Sequence, residues 1–402
     1  MDIRYFDHMA TNPMRTEVLE AMMSFFRESY GNPLSVYQLG QDARRAVEDA
    51  RAKVAALINA RPEEIIFTAS GAESNNFVLK GLANAYSKKG RHVVVSRMDH
   101  HSILNPARML EKEGFAVTYL PVDGTGMVDP DALRKAVTDE TALVSIIHAS
   151  PEVGTIEPIA ELAGIAKARG ALFHTDAVAS AGYLPIDVQA LGVDALSLSA
   201  HEFYGPKGAG ALYLKGGTRI MPLIYGGIQE NGRRAGTENV PAIAGMGVAA
   251  ELTKTELPRR VEKLVKLRDR LIGGVLERIK NVRLTGHPAT RLPGHASFCV
   301  EFIEGESMLL MLQSKGILAA SGSACSSKAL KASPVLLAMG LSAELAHGSI
   351  VFSMGMDNTE EDIDYAIQEF PAVVARLREI SPYAGGWGGE KAKEAGSCIP
   401  KN

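Results

Sequence analysis

Apolar residues recur at helical spacing in the first part of the chain. Residues 16–29 read as a helix capped by Thr16, and Gly31-Asn32-Pro33 ends it; residues 36–59 place Ala43, Val47, Ala50, Val54 and Leu57 on one face of a second, longer helix. Ahead of them, residues 5–11 read as a short extended segment. From Ile65 onward the period changes. Apolar runs at 65–68, 92–96, 116–120, 143–147 and 171–175 have strand length and are separated by helical segments. That alternation predicts an α/β fold with a mainly parallel sheet, helices on both faces and right-handed crossovers. Two further runs, 193–198 and 209–214, flank a polar loop that turns at Gly205-Pro206.

A glycine-rich stretch at 226–234 closes this region, and a long helical pattern follows over 240–279. A new set of elements then begins: a strand at 296–302, a helix at 306–315, a loop around Cys325, a strand at 349–352 and a helix at 360–380. A chain of 402 residues is too long for one compact core. The pattern divides it into a large domain over 16–254 and a smaller α+β domain built from 1–15 and 255–382. The tail, 383–402, carries Gly385, Gly386, Gly388 and Gly389 among scattered charges without periodicity, the composition of a mobile segment.

Composition adds exclusions. With 46% hydrophobic and 22% charged residues the chain is an ordinary globular one, and a net charge of −3 gives no electrostatic reason to bind nucleic acid or an anionic membrane. No apolar run reaches spanning length, and Met1-Asp2-Ile3-Arg4 does not open a signal peptide. Cys299, Cys325 and Cys398 are too few and odd in number for a disulfide framework, which points to a reducing cytoplasm.

Several segments are candidates for chemistry. Residues 68–76 lie between a strand and a helix, where backbone N–H groups and the helix dipole suit an anion; the plainer reading is a turn with a small-residue cap. His100 follows a strand end, a place where a lone histidine is more often structural than catalytic. Asp176 ends a buried-looking strand and points into the ligand crevice of an open sheet, or caps the helical segment after it. Ser199, His201 and Glu202 stand in the polar loop at another strand end. His100, Asp176, His201 and Glu202 are metal-competent types, but adjacent residues of an extended segment point to opposite sides, which weighs against one shared ion. Thr237, within Arg233-Arg234-Ala235-Gly236-Thr237-Glu238-Asn239, reads as the cap of the long helix. Cys325 lies among Ser and Gly with Lys328 nearby, which favours exposure and thiolate formation, whereas Cys299 sits in a strand pattern and reads as core.

Three of these segments, Phe173-His174-Thr175-Asp176-Ala177, Ser197 to Gly210, and Ser321-Gly322-Ser323-Ala324-Cys325, resemble the pyridoxal-phosphate cysteine desulfurases of iron–sulfur cluster assembly. The resemblance covers nearly the whole chain. It implies the fold of type I pyridoxal-phosphate (PLP) transferases, with a large mainly parallel sheet domain and a smaller α+β domain. It further implies cofactor contacts at Gly71, Asp176, Ser199 and His201, with Asp176 paired to the pyridine nitrogen. His100 would stack on the ring and transfer protons, and Thr237 would reach the phosphate of the neighbouring subunit in a homodimer. Cys325 would be the nucleophile that takes sulfur from cysteine as a persulfide.

Five positions depart from the family pattern. Glu202 stands where the family has its Schiff-base lysine, Ala72 where it has a phosphate-binding threonine, and Pro151 and Ala179 where it has ring-oxygen donors. Val351 replaces the arginine that clamps the substrate carboxylate. Lys207 is no substitute, because the family carries its own lysine there as well. The scaffold stays while cofactor and substrate contacts go, so pyridoxal phosphate is expected to be lost or not covalently bound. The chain then reads as a degenerate desulfurase acting as a dimeric partner of a cluster scaffold protein or sulfur acceptor. Its remaining functional group would be Cys325, as persulfide carrier or as a ligand to a shared iron–sulfur cluster. The competing readings are an active desulfurase with unusual cofactor anchoring, and a pocket turned to a new ligand or metal.

Overall fold

The computed structural model describes residues 2–322 and 332–381, so Cys325, Lys328, Cys398 and the tail at 383–402 lie outside the described residues. After β1 (Arg4–Tyr5), α1 (Thr16–Arg27) and α2 (Gln38–Leu57), strands and helices alternate. They are β2 (Ile65–Thr68), α3 (Gly71–Ala85), β3 (His92–Ser96), α4 (His101–Lys112), β4 (Ala116–Leu120), α5 (Pro130–Ala136), β5 (Thr141–Ile147), α6 (Ile159–Ala168), β6 (Leu172–Asp176), α7 (Val188–Leu191), β7 (Ala195–Ser199) and β8 (Gly210–Leu214). Among the described residues, seven strands form one sheet in the order β2-β8-β7-β6-β5-β3-β4. Only β8 runs against the rest, pairing antiparallel with both β2 and β7. Strands β2, β5, β7 and β8 are buried along their whole length, as strands covered on both faces must be. Phe77, Val78 and Leu82 of α3 with Ile103 and Leu110 of α4 pack on one face. The other face takes Ala43, Val47 and Val54 of α2 and Leu162 of α6.

Helix α8 (Val240–Arg278) is 39 residues long, about 58 Å at the α-helical rise. Its first part, with Ile243 and Met246, joins the core beneath the large sheet. Its second part, with Leu264, Leu267 and Leu271, joins a different core with Phe298, Phe352 and Phe370. That second core belongs to β9 (Val282–Leu284), β10 (His295–Val300), α9 (Gly305–Gln313), β11 (Ile317–Leu318), β12 (Ser349–Ser353) and α12 (Glu360–Ile380), while Leu336 of α10 (Pro334–Ala338) and Ala346 of α11 (Ala343–His347) join a smaller cluster with Met98, Val153 and Cys299. Strand β10 lies between β12 and β9, antiparallel to both. β1 pairs with β11, and Phe6 packs in the second core. No helix of the described residues is long and apolar enough to cross a membrane.

Two expected caps differ. Arg15, with extended backbone and no side-chain hydrogen bond, precedes α1, and Thr16 is already inside the helix. Helix α8 is capped by Asn239, whose Oδ1 accepts from the Ala242 N–H at 3.3 Å, because Thr237 stands too far upstream to reach the first turn. Cys299 is buried in β10, as its strand pattern implied.

Candidate functional site

The carboxyl ends of the parallel strands gather at one edge of the sheet, where side chains point outward to a crevice. β6 ends at Asp176, which pairs across to Ser197 of β7. The Asp176 carboxylate is buried; Oδ1 accepts from the Val178 N–H at 3.0 Å, and Oδ2 accepts from Asn75 Nδ2 at 2.6 Å. Burial raises its pKa, opposed by these two donors and by His100. Asn75 Nδ2 also donates to Ser102 Oγ at 2.8 Å, and Ser102 Oγ lies 2.7 Å from His100 Nδ1. A line of hydrogen bonds therefore joins exposed His100, which caps α4, to buried Asp176. Asp99 holds that corner in place: its buried carboxyl accepts from Ser96 N and Ile147 N, both at 2.7 Å, tying the ends of β3 and β5 together.

Sequence reasoning passes over Asn75 and Ser102. A signal for the first is present, because Asn75 shares a helical face with Val78, Leu79 and Leu82, all buried. A polar residue in such a stripe must find a buried partner.

Glu202 does not lie in an extended segment. β7 runs into a tight helical turn over Ala200–Phe203, closed by Gly205 N donating to Ala200 O at 2.9 Å, and Tyr204 follows with a φ of 66°. In such a turn neighbouring side chains project about 120° apart rather than oppositely. His201 Nδ1 and Glu202 Oε1 accordingly stand 3.5 Å apart, wider than a hydrogen bond. Glu202 is turned inward and only 4% exposed. Its backbone oxygen accepts from Asn12 Nδ2 at 2.9 Å, and a Cβ at Gly182 would lie 2.7 Å from the same oxygen, so both flanks are closed. Burial pushes the Glu202 carboxyl well above the usual range, and the charges of Asp176 and Asp7 push it further. Asp7 itself is raised to about 6 by burial. Glu202 Oε2, Ser199 Oγ, His201 Nδ1 and Asn75 Oδ1 are buried without a hydrogen-bond partner.

At the start of α3, Ser70 caps the helix by accepting from Glu73 N at 3.1 Å. Gly71 is required by contact: a Cβ there would lie 2.4 Å from Val178 Cγ2 and 3.4 Å from Ser199 Cβ. Gly71, Asp176 and Ser199 thus belong to one corner. Thr237 does not. It is exposed and lines a separate cavity of about 120 Å³ with Thr68, Ala69, Gly208 and Arg234.

Pyridoxal phosphate can be tested against this corner. The position that would supply an amine holds a buried carboxyl, and Lys207 is exposed. Pro151 offers only its carbonyl, which accepts from His295 Nε2 at 2.9 Å. Ala179 is a buried methyl, and Val351 is buried in β12 with its backbone groups bonded to Ala320 at 2.8 and 3.0 Å. The residues present do not fit a covalently held pyridoxal phosphate. Among the described residues, no group of three or more His, Cys, Asp or Glu side chains could hold a metal ion.

Residues 4–366 match the model of the aminotransferase class-V family. The chain belongs to that family. It is 51% identical over 383 residues to a cysteine desulfurase IscS of Dictyoglomus turgidum, covering 95% of this chain and 97% of the relative. A cysteine desulfurase IscS of Methanosarcina thermophila is 50% identical over 378 residues, 94% of this chain and 93% of its own. Among solved structures, a NifS-like protein superposes with a TM-score of 0.88 at 37% identity, covering 94% of this chain and all (100%) of that one. This member of the aminotransferase class-V family is thus similar to the IscS- and NifS-like cysteine desulfurases over about 95% of its length, and has the type I α/β fold expected of it.

Proposed function

We propose that this class-V aminotransferase is a cysteine desulfurase-like protein of sulfur transfer and iron–sulfur cluster assembly that has lost desulfurase chemistry. It acts as a homodimeric partner of a cluster scaffold protein through Cys325. The observation that carries this reading is Glu202, a buried carboxyl that pairs with no lysine or arginine among the described residues and is raised further by the charges of Asp176 and Asp7. A carboxyl cannot form a Schiff base, and three acids in one corner oppose a phosphate. Val351 likewise leaves the substrate carboxylate without a cation. What remains functional is the thiol, which in a Ser- and Gly-rich segment three residues before Lys328 can carry persulfide or ligate iron.

Anaerobic mixing with a cluster scaffold protein, iron and sulfide tests this. Cys325→Ser is expected to lower cluster yield or lifetime severalfold. Equal yields and lifetimes for the two proteins, with no persulfide found on Cys325 by alkylation and mass spectrometry, would overturn it. A second reading has its own support, since relatives about half identical are named cysteine desulfurases. It is an active enzyme that converts L-cysteine to L-alanine and leaves a persulfide on Cys325, with cofactor anchored in an unusual way. A Schiff-base absorbance band in the purified protein, with sulfide release from L-cysteine, would favour it over the first.

The homodimer rests on an apolar surface. Leu19, Met23 and Phe26, 43%, 47% and 58% exposed, stand on one face of α1, and Tyr30, Val36 and Tyr37, between α1 and α2, are exposed as well. A monomeric globular protein rarely leaves such a patch in water. Light scattering at micromolar concentration is expected to read twice the chain mass of 43.0 kDa, and a reading of one chain would refute the dimer.

A further inference from the structure

The cavity of about 120 Å³ that stands apart from the Asp176 corner is lined by Phe67 of β2 and Ile243 of α8, and by Arg234, Glu238 and Asn239 from the segment leading into α8. A protein cavity of about 150 Å³ holds a benzene molecule, so this one suits a ligand of slightly fewer heavy atoms. Most charges around it are already committed. Glu230 accepts from Arg51 on both oxygens at 2.8 Å and from Phe67 N at 2.9 Å. Glu73 accepts from Arg234 Nε at 2.9 Å, from Arg234 Nη2 at 3.3 Å and from Ala69 N at 2.8 Å. Two groups are left over. Arg234 Nη1, which a Cβ at Gly236 would approach to 3.6 Å, has no acceptor among the described residues. Glu238 Oε2 is buried without a hydrogen-bond partner. Burial and the charge of Glu230 raise the Glu238 carboxyl, opposed by Arg51 and Arg234. Yet Arg234 and Glu238 form no ion pair, so their charged atoms stand more than 4.0 Å apart in the lining of one cavity. A free donor and a free acid held apart in this way call for a molecule that carries both opposite charges.

We propose that this cavity is a binding site for a small α-amino acid in its zwitterionic form. Its carboxylate would take Arg234 Nη1 and Asn239 Nδ2, the amide nitrogen left when Asn239 Oδ1 accepts from Ala242 N at 3.3 Å. Its ammonium group would take Glu238 Oε2, and its carbon atoms would meet Phe67 and Ile243. An amine alone leaves the guanidinium nitrogen without an acceptor, and a carboxylate alone leaves a buried acid without a donor; the zwitterion answers both. Bound there, it ties the segment before α8 to β2, which makes the cavity a sensing site for small amino acids. Neither Glu202 nor Cys325 takes part, so the inference stands apart from the reading of the chain as a degenerate desulfurase.

The test is calorimetric titration of the full-length protein with glycine and with methylamine and acetate, its two charged halves. Glycine is expected to bind at least about tenfold more tightly than either half, because each half forgoes one charge-assisted bond. Glu238→Gln, nearly identical in shape and at a half-buried position, is expected to weaken glycine at least about tenfold while leaving acetate within about twofold. In the methyl-labelled protein, a nuclear Overhauser contact between the glycine methylene and Ile243 is expected to place the ligand. No saturation by glycine up to about 10 mM would overturn the inference. So would glycine binding that Glu238→Gln does not weaken, or that brings no contact to Ile243. Methylamine binding as tightly as glycine would make this a plain cation site and overturn the amino-acid assignment.

Discussion

Glu202→Lys is expected to leave sulfide release from L-cysteine at least about a thousandfold below that of an intact desulfurase, even with pyridoxal phosphate in excess. The substitution restores an amine, and the site tolerates it: an ammonium group there would face Asp176 and Asp7, which now repel the resident acid. Folding is therefore not the obstacle. Positioning is. Pro151 and Ala179 bring no donors, Ala72 brings no hydroxyl, and Val351 lies in β12 with only a methyl surface to show a carboxylate. Loss of one such electrostatic contact typically costs about a hundredfold to a thousandfold in rate, and groups that act together are not rescued singly. Anaerobic sulfide assays on the variant, with circular dichroism to confirm the fold, decide the matter. A rate within about tenfold of an ordinary desulfurase would show that the other four positions are not needed.

Arg51→Ala is expected to destabilise the large-sheet domain by roughly 3–5 kcal/mol, the cost of leaving a buried charge without its partner. Arg51 Nη1 and Nη2 donate to the two carboxylate oxygens of Glu230, each at 2.8 Å, and the two side chains are 11% and 2% exposed. Glu230 also accepts from Phe67 N at 2.9 Å, and Arg51 Nη1 donates to Ile65 O at 2.9 Å. The pair thus binds the glycine-rich segment to α2 and β2. Glu230 and Asn231 have φ of 48° and 56°, a backbone state that costs free energy and persists only where neighbours enforce it. Removing the guanidinium leaves the carboxylate with one N–H donor. The same segment carries Arg234, whose Nε bonds Glu73 Oε1 at 2.9 Å, so loosening it reaches the first turn of α3. Urea denaturation of Arg51→Ala should show this loss, and Arg51→Met with Glu230→Leu should recover much of it because no charge is stranded. A single-variant loss below about 1 kcal/mol would mean that water replaces the guanidinium at this depth.

Read by period alone, the sequence determined the strands of the large sheet to within two residues at each end, because a buried parallel strand must be a short apolar run and a covering helix must repeat every three or four positions. It also determined where chemistry could sit. His100, Asp176 and Ser199 follow or end such runs, and the outer edge of a parallel sheet is where they had to emerge. The acid at position 202 and the lost donors at 72, 151, 179 and 351 were legible as letters.

Only the tertiary structure decided what those letters do to one another. Asp7 comes to Glu202 from the far end of the chain by a bridge to Ser353, and Asn75 reaches Asp176 across 101 positions. No local pattern encodes either meeting, since each depends on which strands become neighbours. The turn that carries Glu202 inward escapes a reading by period for a related reason: the five residues between a strand and Gly205 have no period to read, and their path is set by the hydrogen bond from Gly205 to Ala200 and by the close approach of Gly182. Thr16 and Thr237 have the residue type of caps, which is local, but a cap also needs the right place relative to the first turn, and packing set that place one and two residues away. Charge divides the same way. The sequence supplied the acids, and burial at the sheet edge, which no single segment controls, is what raises their pKa values.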